Sequence, residues 1–296
     1  MTARSDDARA WFAEDLRVTC NLTAPRLVEA LASVPRERFL GPGPWRFWSE
    51  ALMQVLQPSQ AHAQLSAQVT DDADPRHVYH NVSIAIDPER NLYNGQPGLI
   101  ARWLQSLAVA PGERVVHIGC GTGYFTALTA HMVGPSGRVF AIDVDAALAD
   151  RARTNLRDWP WAEVVRGDGR SALPSDVDVV LVNAGATHVV DEWLDAVREG
   201  GRVLVPLTCV MPGMPAGIGK GFVVTARRVG DEWSAAVTSM VAIYSLQGIR
   251  DETLGATLGQ AMMTGKMGAV TRLRRDAHDA SSTCWFHGPT TCLSTS

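Results

Sequence analysis

The spacing of apolar and polar positions divides the chain into a helical beginning and a longer alternating part. From residue 101 onward, short β-branched runs alternate with segments of helical periodicity, and Gly, Pro or Asp residues join them. This alternation is typical of a parallel sheet with helices on both faces. The pattern predicts strands at residues 115–118, 138–142, 162–166, 177–182 and 202–206. It predicts helices between them at residues 124–132, 146–156 and 189–198.

The segments on either side have other patterns. Apolar stripes at residues 6–16 and 26–31 predict two N-terminal helices, and the Gly/Pro-rich start of residues 41–76 suggests an insertion or lid. Residues 222–228 and 233–243 flank Gly230 and Asp231, which predicts an antiparallel hairpin at the sheet edge. A further helix is expected at residues 251–263. We therefore divide the chain into an N-terminal helical segment with the insertion (1–90), a central domain (91–248) and a C-terminal extension (249–296).

Composition excludes several classes of protein. Of the 296 residues, 46% are hydrophobic and 20% charged, which is typical of a folded globular protein. The net charge of −4 disfavours a nucleic-acid partner. The longest stretch without charged residues, 115–137, holds five glycines, a proline and two histidines, so we expect no membrane span.

The cysteines and the N-terminus favour a cytoplasmic protein. The five cysteines are scattered and form no C-x-x-C pair, so we expect reduced thiols. The first residues lack the apolar core of a signal peptide. His77 and His80 lie near several aspartates, but their spacing is not that of a metal site. We therefore predict no metal site.

Three glycines mark the first candidate binding segment. Gly119, Gly121 and Gly123 separate a predicted strand from a predicted helix. Glycines let the backbone approach a ligand closely and the helix N-terminus offers free N–H groups, so we expect the backbone around residues 119–123 to surround a small polar or anionic ligand. Tyr124 stands where a dinucleotide fingerprint has its third glycine, which disfavours a nicotinamide cofactor.

Two further candidate binding residues follow the next two strands. Asp143 comes twenty residues after Gly123, where a carboxylate can accept hydrogen bonds from ribose hydroxyls. Asp145 is then the expected cap of the following helix. Asp168, between Gly167 and Gly169, can accept a hydrogen bond from the exocyclic amine of adenine. Because the carboxyl ends of parallel strands meet at one edge, the glycine segment, Asp143 and Asp168 form one crevice.

An ordered set of motifs carries a family resemblance. The set is VPRERFL at 34–40, NGQPGLIA at 94–101, VVHIGCGTGYF at 115–125, GDGR at 167–170, DVVLVNAGA at 178–186 and GGRVLVP at 200–206. The chain resembles the class I S-adenosylmethionine-dependent methyltransferases and, within them, the protein-L-isoaspartate O-methyltransferase family. The resemblance implies an α/β fold with a Rossmann-like, doubly wound, mostly parallel sheet and makes residues 91–248 the domain that binds S-adenosyl-L-methionine. The product would be S-adenosyl-L-homocysteine, and the substrate a protein or peptide.

The resemblance also implies site residues. Donor-binding candidates are His117, Gly119, Cys120, Gly121, Gly123, Tyr124, Asp143, Asp168 and Gly169. Asn94, Gly95 and Gln96 are candidates for positioning the acceptor. The chain departs from the family pattern at His117, which replaces an acidic residue, and at Gly95, which replaces a serine. His117 lies on a buried strand, where a hydrogen-bonded core histidine is the commoner role.

The implied reaction is transfer of a methyl group from a sulfonium to a carboxylate. The acceptor is ionised at neutral pH and needs no general base, so no catalytic residue is assigned. Gly95 and the insertion leave open a dedicated carboxyl methyltransferase for a natural-product peptide. A donor-binding module without catalysis is also open. A nucleic-acid adenine methyltransferase is less favoured, because Asn183-Ala184-Gly185 departs from the N-P-P-Y/F motif. The sequence leaves the oligomeric state unknown.

Overall fold

The structure, a computed structural model, describes residues 2–49, 68–171, 173–211 and 217–296. The chain begins with two packed helices, α1 (Thr2–Thr19) and α2 (Pro25–Ser33). Both predicted N-terminal helices are confirmed, and both extend beyond the predicted ranges. Pro25 occupies the first turn of α2, where its missing N–H costs no helical hydrogen bond.

A small antiparallel sheet follows and lies beside the main domain. It consists of β1 (Phe47–Trp48), β2 (Ser83–Asp87) and β3 (Leu92–Tyr93), in that order. The predicted insertion therefore contributes β1 to this sheet, and Arg46 forms an isolated bridge with Val69. Residues 50–67 of the insertion lie outside the described residues.

The central domain is a doubly wound α/β unit. Its elements are α3 (Pro97–Ser106), β4 (Arg114–Ile118), α4 (Tyr124–Val133), β5 (Arg138–Asp143), α5 (Ala146–Asn155), β6 (Ala162–Arg166), β7 (Val177–Val182), α6 (Asp191–Ala196) and β8 (Val197–Cys209). The five strands are parallel in the order β8-β7-β4-β5-β6, which confirms the predicted fold class. The connections diverge on either side of β4, so the crevice beyond its carboxyl end is a topological switch point.

One predicted helix is shorter than expected. The helix expected at residues 189–198 is α6, Asp191–Ala196, and β8 begins directly after it at Val197. Val197 pairs with Val177, and an irregularity follows before Arg202 pairs with Val179. The extra residues of this irregularity include Gly200, at φ +73°. The apolar pattern alone does not distinguish this bulged strand start from the end of a helix.

The C-terminal part extends the same sheet. It contains β9 (Ile218–Val229), β10 (Glu232–Tyr244), α7 (Glu252–Met263), β11 (Arg272–Arg274), β12 (Cys284–His287) and β13 (Cys292–Ser294). The predicted hairpin is β9 and β10, but its expected position at the sheet edge is wrong. Strands β11, β13 and β12 continue the sheet beyond β10, so β12 forms that edge. The proposed division at residues 90 and 248 stays a prediction.

Apolar layers cover both faces of the sheet. Val115 packs into the layer that contains the N-terminal helices, and Val116 packs into the layer that contains Trp193 and α7. Alternate residues of β4 thus serve opposite faces, as strand geometry requires. None of the helices in the described ranges combines the length and apolar character that a membrane span requires.

Candidate active site

A cavity of about 930 Å³ opens at the carboxyl ends of the parallel strands. This volume lies within the range of small-molecule sites. Its lining includes the predicted residues Asn94, Gly95, Gln96, Gly119, Cys120, Gly121, Tyr124, Asp143, Asp168 and Gly169. Residues 240–247, at and after the end of β10, also line it. The donor and acceptor candidates therefore border one cavity.

The glycine turn is held by its own backbone amides. The N–H groups of Gly119 and Cys120 donate to the Ile142 carbonyl at 2.8 and 3.1 Å, and Gly123 donates to Cys120 at 3.0 Å. The amides of Gly119, Cys120 and Gly123 are therefore engaged within the protein and do not point to a ligand. Gly119 has φ +77°, and a Cβ there would lie 3.4 Å from the Asn183 carbonyl oxygen. The glycines carry no side chains, so a ligand can contact the backbone of the turn directly.

Asp143 connects the glycine turn to β5. Its Oδ2 accepts a hydrogen bond from Gly121 N at 2.7 Å, and its Oδ1 accepts one from Asp145 N at 3.0 Å. The side chain is largely buried, and burial raises its pKa from the ordinary value while these two amides oppose the shift. Each oxygen keeps a further lone pair for a hydroxyl donor. Asp145 caps α5 through Leu148 N, as predicted.

The Gly167-Asp168-Gly169 loop is fastened on two sides. Asp168 Oδ1 accepts hydrogen bonds from Arg170 N at 2.9 Å and Ser171 N at 3.0 Å, and these bonds lower its pKa to about 2. The Gly169 carbonyl accepts a 2.8 Å hydrogen bond from Trp193 Nε1. Trp193 is fully buried on α6 and did not figure among the predicted site residues. Its role depends on a contact between residues 24 positions apart, which no local motif records.

Two predicted donor residues do not line the cavity. His117 is fully buried, and its Nδ1 lies 2.9 Å from Thr126 Oγ1 on α4. Burial lowers the pKa of His117 to about 4, so the ring is neutral at neutral pH. Gly123, at φ +95°, precedes α4 and packs against Leu156. Both residues shape the strand-to-helix turn from behind the cavity wall.

Cys120 lies in the cavity wall but has no features of a nucleophile. Burial raises the pKa of its thiol well above the ordinary value, and the charge of Asp143 adds to the shift. A cysteine reacts as its thiolate, which this environment disfavours. The small side chain instead fills space beside the glycine turn, as expected from the sequence.

The acceptor candidates lie between β3 and α3. Asn94 pairs with the backbone of β2: its N donates to the Ile84 carbonyl at 2.9 Å, and its Oδ1 accepts from Ile84 N at 3.0 Å. Its Nδ2 is buried without a hydrogen-bond partner in the described part of the chain. Gln96 donates from Nε2 to the Asn81 carbonyl at 3.2 Å. Gly95 has φ +82°, a conformation that the family's serine would adopt only with strain.

A buried arginine holds the segment behind these residues. The guanidinium of Arg36 donates to the carbonyls of Val78, His80 and Val82 at 2.6, 2.8 and 2.6 Å. The side chain is fully buried, no carboxylate of the described residues pairs with it, and burial lowers its pKa to about 10. Arg36 belongs to the VPRERFL motif, which is visible in the sequence, but the motif does not show which backbone carbonyls the guanidinium contacts. It fixes residues 78–82, which lead into β2.

Charge differs between the two ends of the cavity. The charged side chains that line it are Arg90, Asp143, Asp145 and Asp168. Arg90 pairs with Asp145 and Asp87, so the acidic groups prevail near the glycine turn. Near Asn94 the wall is neutral and polar, with Tyr93 and with Tyr244, whose hydroxyl donates to the Asn91 carbonyl at 2.5 Å. The cavity thus suits a cationic ligand at one end and a polar acceptor at the other.

Sequence comparison identifies relatives along much of the chain. The family model described as Protein-L-isoaspartate(D-aspartate) O-methyltransferase (PCMT) matches residues 66–211. A protein-L-isoaspartate O-methyltransferase of Aeropyrum pernix is 31% identical over 206 residues, which are 68% of this chain and 67% of that protein. The corresponding protein of Methylorubrum populi is 30% identical over 69% of this chain and 81% of its own length. The match to the Methanopyrus kandleri protein, at 34% identity, covers 38% of this chain and 51% of that protein.

Structural comparison supports the same fold. A protein-L-isoaspartate O-methyltransferase aligns with a TM-score of 0.61 at 20% identity, covering 87% of this chain and 69% of the other. A putative protein-L-isoaspartate O-methyltransferase of Plasmodium falciparum, in complex with S-adenosyl-L-homocysteine, aligns with a TM-score of 0.58 at 14% identity. That alignment covers 81% of this chain and 98% of the other.

Proposed function

This chain belongs to the protein-L-isoaspartate O-methyltransferase family, and we propose that it methylates the side-chain carboxylate of L-isoaspartyl residues in proteins or peptides. The methyl donor is S-adenosyl-L-methionine. One observation carries the proposal: a single cavity joins the glycine turn and Asp143 to the polar segment around Asn94. A donor and an acceptor bound there would meet without a domain movement.

The residues at the glycine turn fit the donor. A ribose can donate its hydroxyl hydrogens to the largely buried carboxylate of Asp143, which lines the cavity, and an adenine amine can donate to Asp168. We assign Gly119, Cys120, Gly121, Tyr124 and Gly169 to the walls of this subsite. Because four of the five amides of residues 119–123 already donate within the protein, we assign the donor's ammonium group to backbone carbonyls at the turn and not its carboxylate to these amides.

The chain's residues act on the acceptor by positioning it. We assign Gln96 to hold the acceptor carboxylate, because its Nε2 has a second hydrogen to donate, and we assign Asn94, whose Nδ2 is buried, to position the segment that borders the acceptor. When bound, the donor supplies an electrophilic methyl group on a sulfonium. The acceptor carboxylate is ionised at neutral pH, so the site needs no base to remove a proton. Correct placement in a closed site can lower the barrier by about 7–11 kcal/mol.

The cavity's charge argues against other acceptors. Arg90 is the cationic side chain of its described lining and is already paired with two carboxylates, so a polyphosphate backbone would find little attraction. We propose a protein or peptide partner and neither a nucleic acid nor a membrane. The relatives' names favour isoaspartyl methylation over a dedicated natural-product reaction. The cytoplasmic location expected from the sequence also stays a proposal, which cell fractionation can test.

Labelled donor distinguishes these functions. The full chain is incubated with methyl-labelled S-adenosyl-L-methionine and an isoaspartyl peptide, its aspartyl twin or RNA. We expect base-labile label on the isoaspartyl peptide alone, because carboxyl methyl esters hydrolyse in base. Label on RNA, or equal label on both peptides, would contradict the proposed substrate. Donor binding without label on either peptide would favour a dedicated substrate or a binding module.

A further inference from the structure

Four metal-binding side chains converge at the edge of the sheet, in the C-terminal extension. One donor atom from each of His278, Cys284, His287 and Cys292 lies within 4.8 Å of the other three. The cluster involves β12, β13 and the segment before β12, beyond the strand that lines the cavity. The proposed methyl transfer uses none of these residues.

A bulge in β12 explains how the cluster forms. Cys284 pairs with Ser294 and Phe286 pairs with Leu293, so β12 contains one residue more than β13 between these pairs. In a regular strand, residues three positions apart point to opposite faces, but one extra residue restores Cys284 and His287 to the same side. His287 pairs directly with Cys292. The bulge thus places three of the four side chains together.

The donor set and its spacing fit zinc. Two thiolates and two imidazoles form the Cys₂His₂ set of structural zinc sites. Zinc–sulfur and zinc–nitrogen distances of about 2.3 and 2.0 Å imply donors separated by roughly 3.3–3.8 Å in a tetrahedron. His278 Nε2 lies 3.6 Å from Cys284 Sγ, within that range. Small side-chain rotations would bring in the other donors.

Hydrogen bonds orient the ligands independently of the spacing. His278 Nδ1 lies 2.8 Å from the Asp276 carbonyl and must donate to it, which leaves Nε2 with a free lone pair facing Cys284. His287 Nδ1 is buried without a hydrogen-bond partner in the described ranges. Ser281 N lies 3.4 Å from Cys284 Sγ and donates to it, which holds the sulfur in position. A polar nitrogen buried without a partner is costly unless something binds it.

We propose that His278, Cys284, His287 and Cys292 bind one Zn²⁺ ion in a closed, structural site. Two thiol protons leave when the metal binds, so the two thiolates balance its charge. The ion would fasten the bulged β12–β13 pair to residues 276–278. Trp285, next to Cys284, is buried and donates its Nε1 hydrogen to the Ala261 carbonyl at 3.0 Å, so the site would also secure the contact with α7.

Metal content tests the site directly. The full chain is purified with reductant and without added metal, and zinc is measured by mass spectrometry. We expect about one zinc per chain in the wild type, and at least a fivefold lower content in Cys284→Ser and Cys292→Ser. Cys20→Ser is the matched control, because Cys20 lies outside the cluster. Equal zinc in Cys284→Ser and the wild type would overturn the proposal.

Cobalt substitution tests the geometry even if a variant fails to fold. Apoprotein prepared from the wild type is titrated with Co²⁺, and we expect intense visible bands of a tetrahedral site and thiolate charge-transfer absorption saturating at about one equivalent. His278→Cys should keep the tetrahedral bands and strengthen the charge-transfer absorption. A weak octahedral spectrum would contradict the site. A disulfide between Cys284 and Cys292 in the protein purified with reductant would also contradict the site.

Discussion

The Asp143 carboxylate accepts a 2.7 Å hydrogen bond from the amide of Gly121. The residue that we assign to the ribose therefore also holds the glycine turn in place. A change at Asp143 should remove the proposed ribose contact and loosen the surface of the glycine turn. The two roles depend on one carboxylate at the end of β5.

Replacing Asp143 should weaken donor binding. Asp143→Ala removes a charged hydrogen-bond acceptor, worth about 1.5–3 kcal/mol, so the Kd for S-adenosyl-L-homocysteine should rise about 10- to 100-fold. Isothermal titration calorimetry measures this change. Asp150→Ala, on the exposed side of α5, is the control. A Kd within a factor of two of the wild-type value would contradict the ribose assignment.

Replacing Asn94 should impair acceptor use while sparing donor binding. Asn94→Ala removes the buried Nδ2 and the bond to Ile84 N, so kcat/KM for an isoaspartyl peptide should fall about 10-fold or more. The Kd for S-adenosyl-L-homocysteine should stay within about a factor of two. Gln260→Ala, exposed on α7, should change neither. A loss of donor affinity as large as the loss of kcat/KM would argue for a purely structural role.

Gly169 should tolerate no side chain. A Cβ at this position would lie 2.6 Å from Ile118 Cγ2, and the backbone has φ +79°. Clash and strain together should lower the free energy of unfolding of Gly169→Ala by about 2–4 kcal/mol. Denaturant unfolding measures the loss.

Two other glycines separate these effects. Gly200 has φ +73° with nothing within 4 Å of an added Cβ, so Gly200→Ala should show the strain alone, about 1 kcal/mol. Gly268 has neither feature and should tolerate alanine. Equal losses in Gly169→Ala and Gly200→Ala would show that the contact with Ile118 does not matter.

The buried His117 should make the fold sensitive to acid. Its pKa falls from the ordinary 6.5 to about 4 in the folded state, so the unfolded chain binds the proton more tightly. Stability is therefore fully present above pH 6.5 and declines as the pH falls toward 4, by about 3 kcal/mol from this residue.

A titration of unfolding free energy against pH checks this sensitivity. His117→Gln should have a shallower slope than the wild type between pH 6.5 and 4.5, whatever its absolute stability. Gln260→Ala, which removes no titratable group, should keep the wild-type slope. Parallel curves for the wild type and His117→Gln would refute the assignment.

Arg36 should be important for stability through its hydrogen bonds to backbone carbonyls. Arg36→Met leaves the carbonyls of Val78, His80 and Val82 without their donor, which should cost about 3 kcal/mol or more. Arg102→Met, at an exposed position on α3, should cost little. Denaturant unfolding of the two variants compares them. Equal stability of the two variants would show that the carbonyl contacts are not needed.

Local patterns predicted the sheet and the order of the candidate binding residues that follow its strands. β-branched runs followed by glycine or aspartate placed Gly119, Asp143 and Asp168 after successive strands, and parallel strands bring such positions to one edge. The same patterns did not reveal which hydrogen-bonding groups are already used. The amides of Gly119 and Cys120 were expected to face the ligand, but both donate to the Ile142 carbonyl of the adjacent strand.

The sequence by itself determined the fold class, the methyltransferase motifs and the helix cap at Asp145, because these depend on residues close together in the chain. Features that depend on contacts between residues far apart in the chain were visible only in the tertiary structure. It turned His117 toward Thr126, placed Trp193 behind Gly169, and continued the sheet beyond β10 with the strands of the polar tail. It also gathered His278, Cys284, His287 and Cys292 through a bulge that strand periodicity alone does not predict.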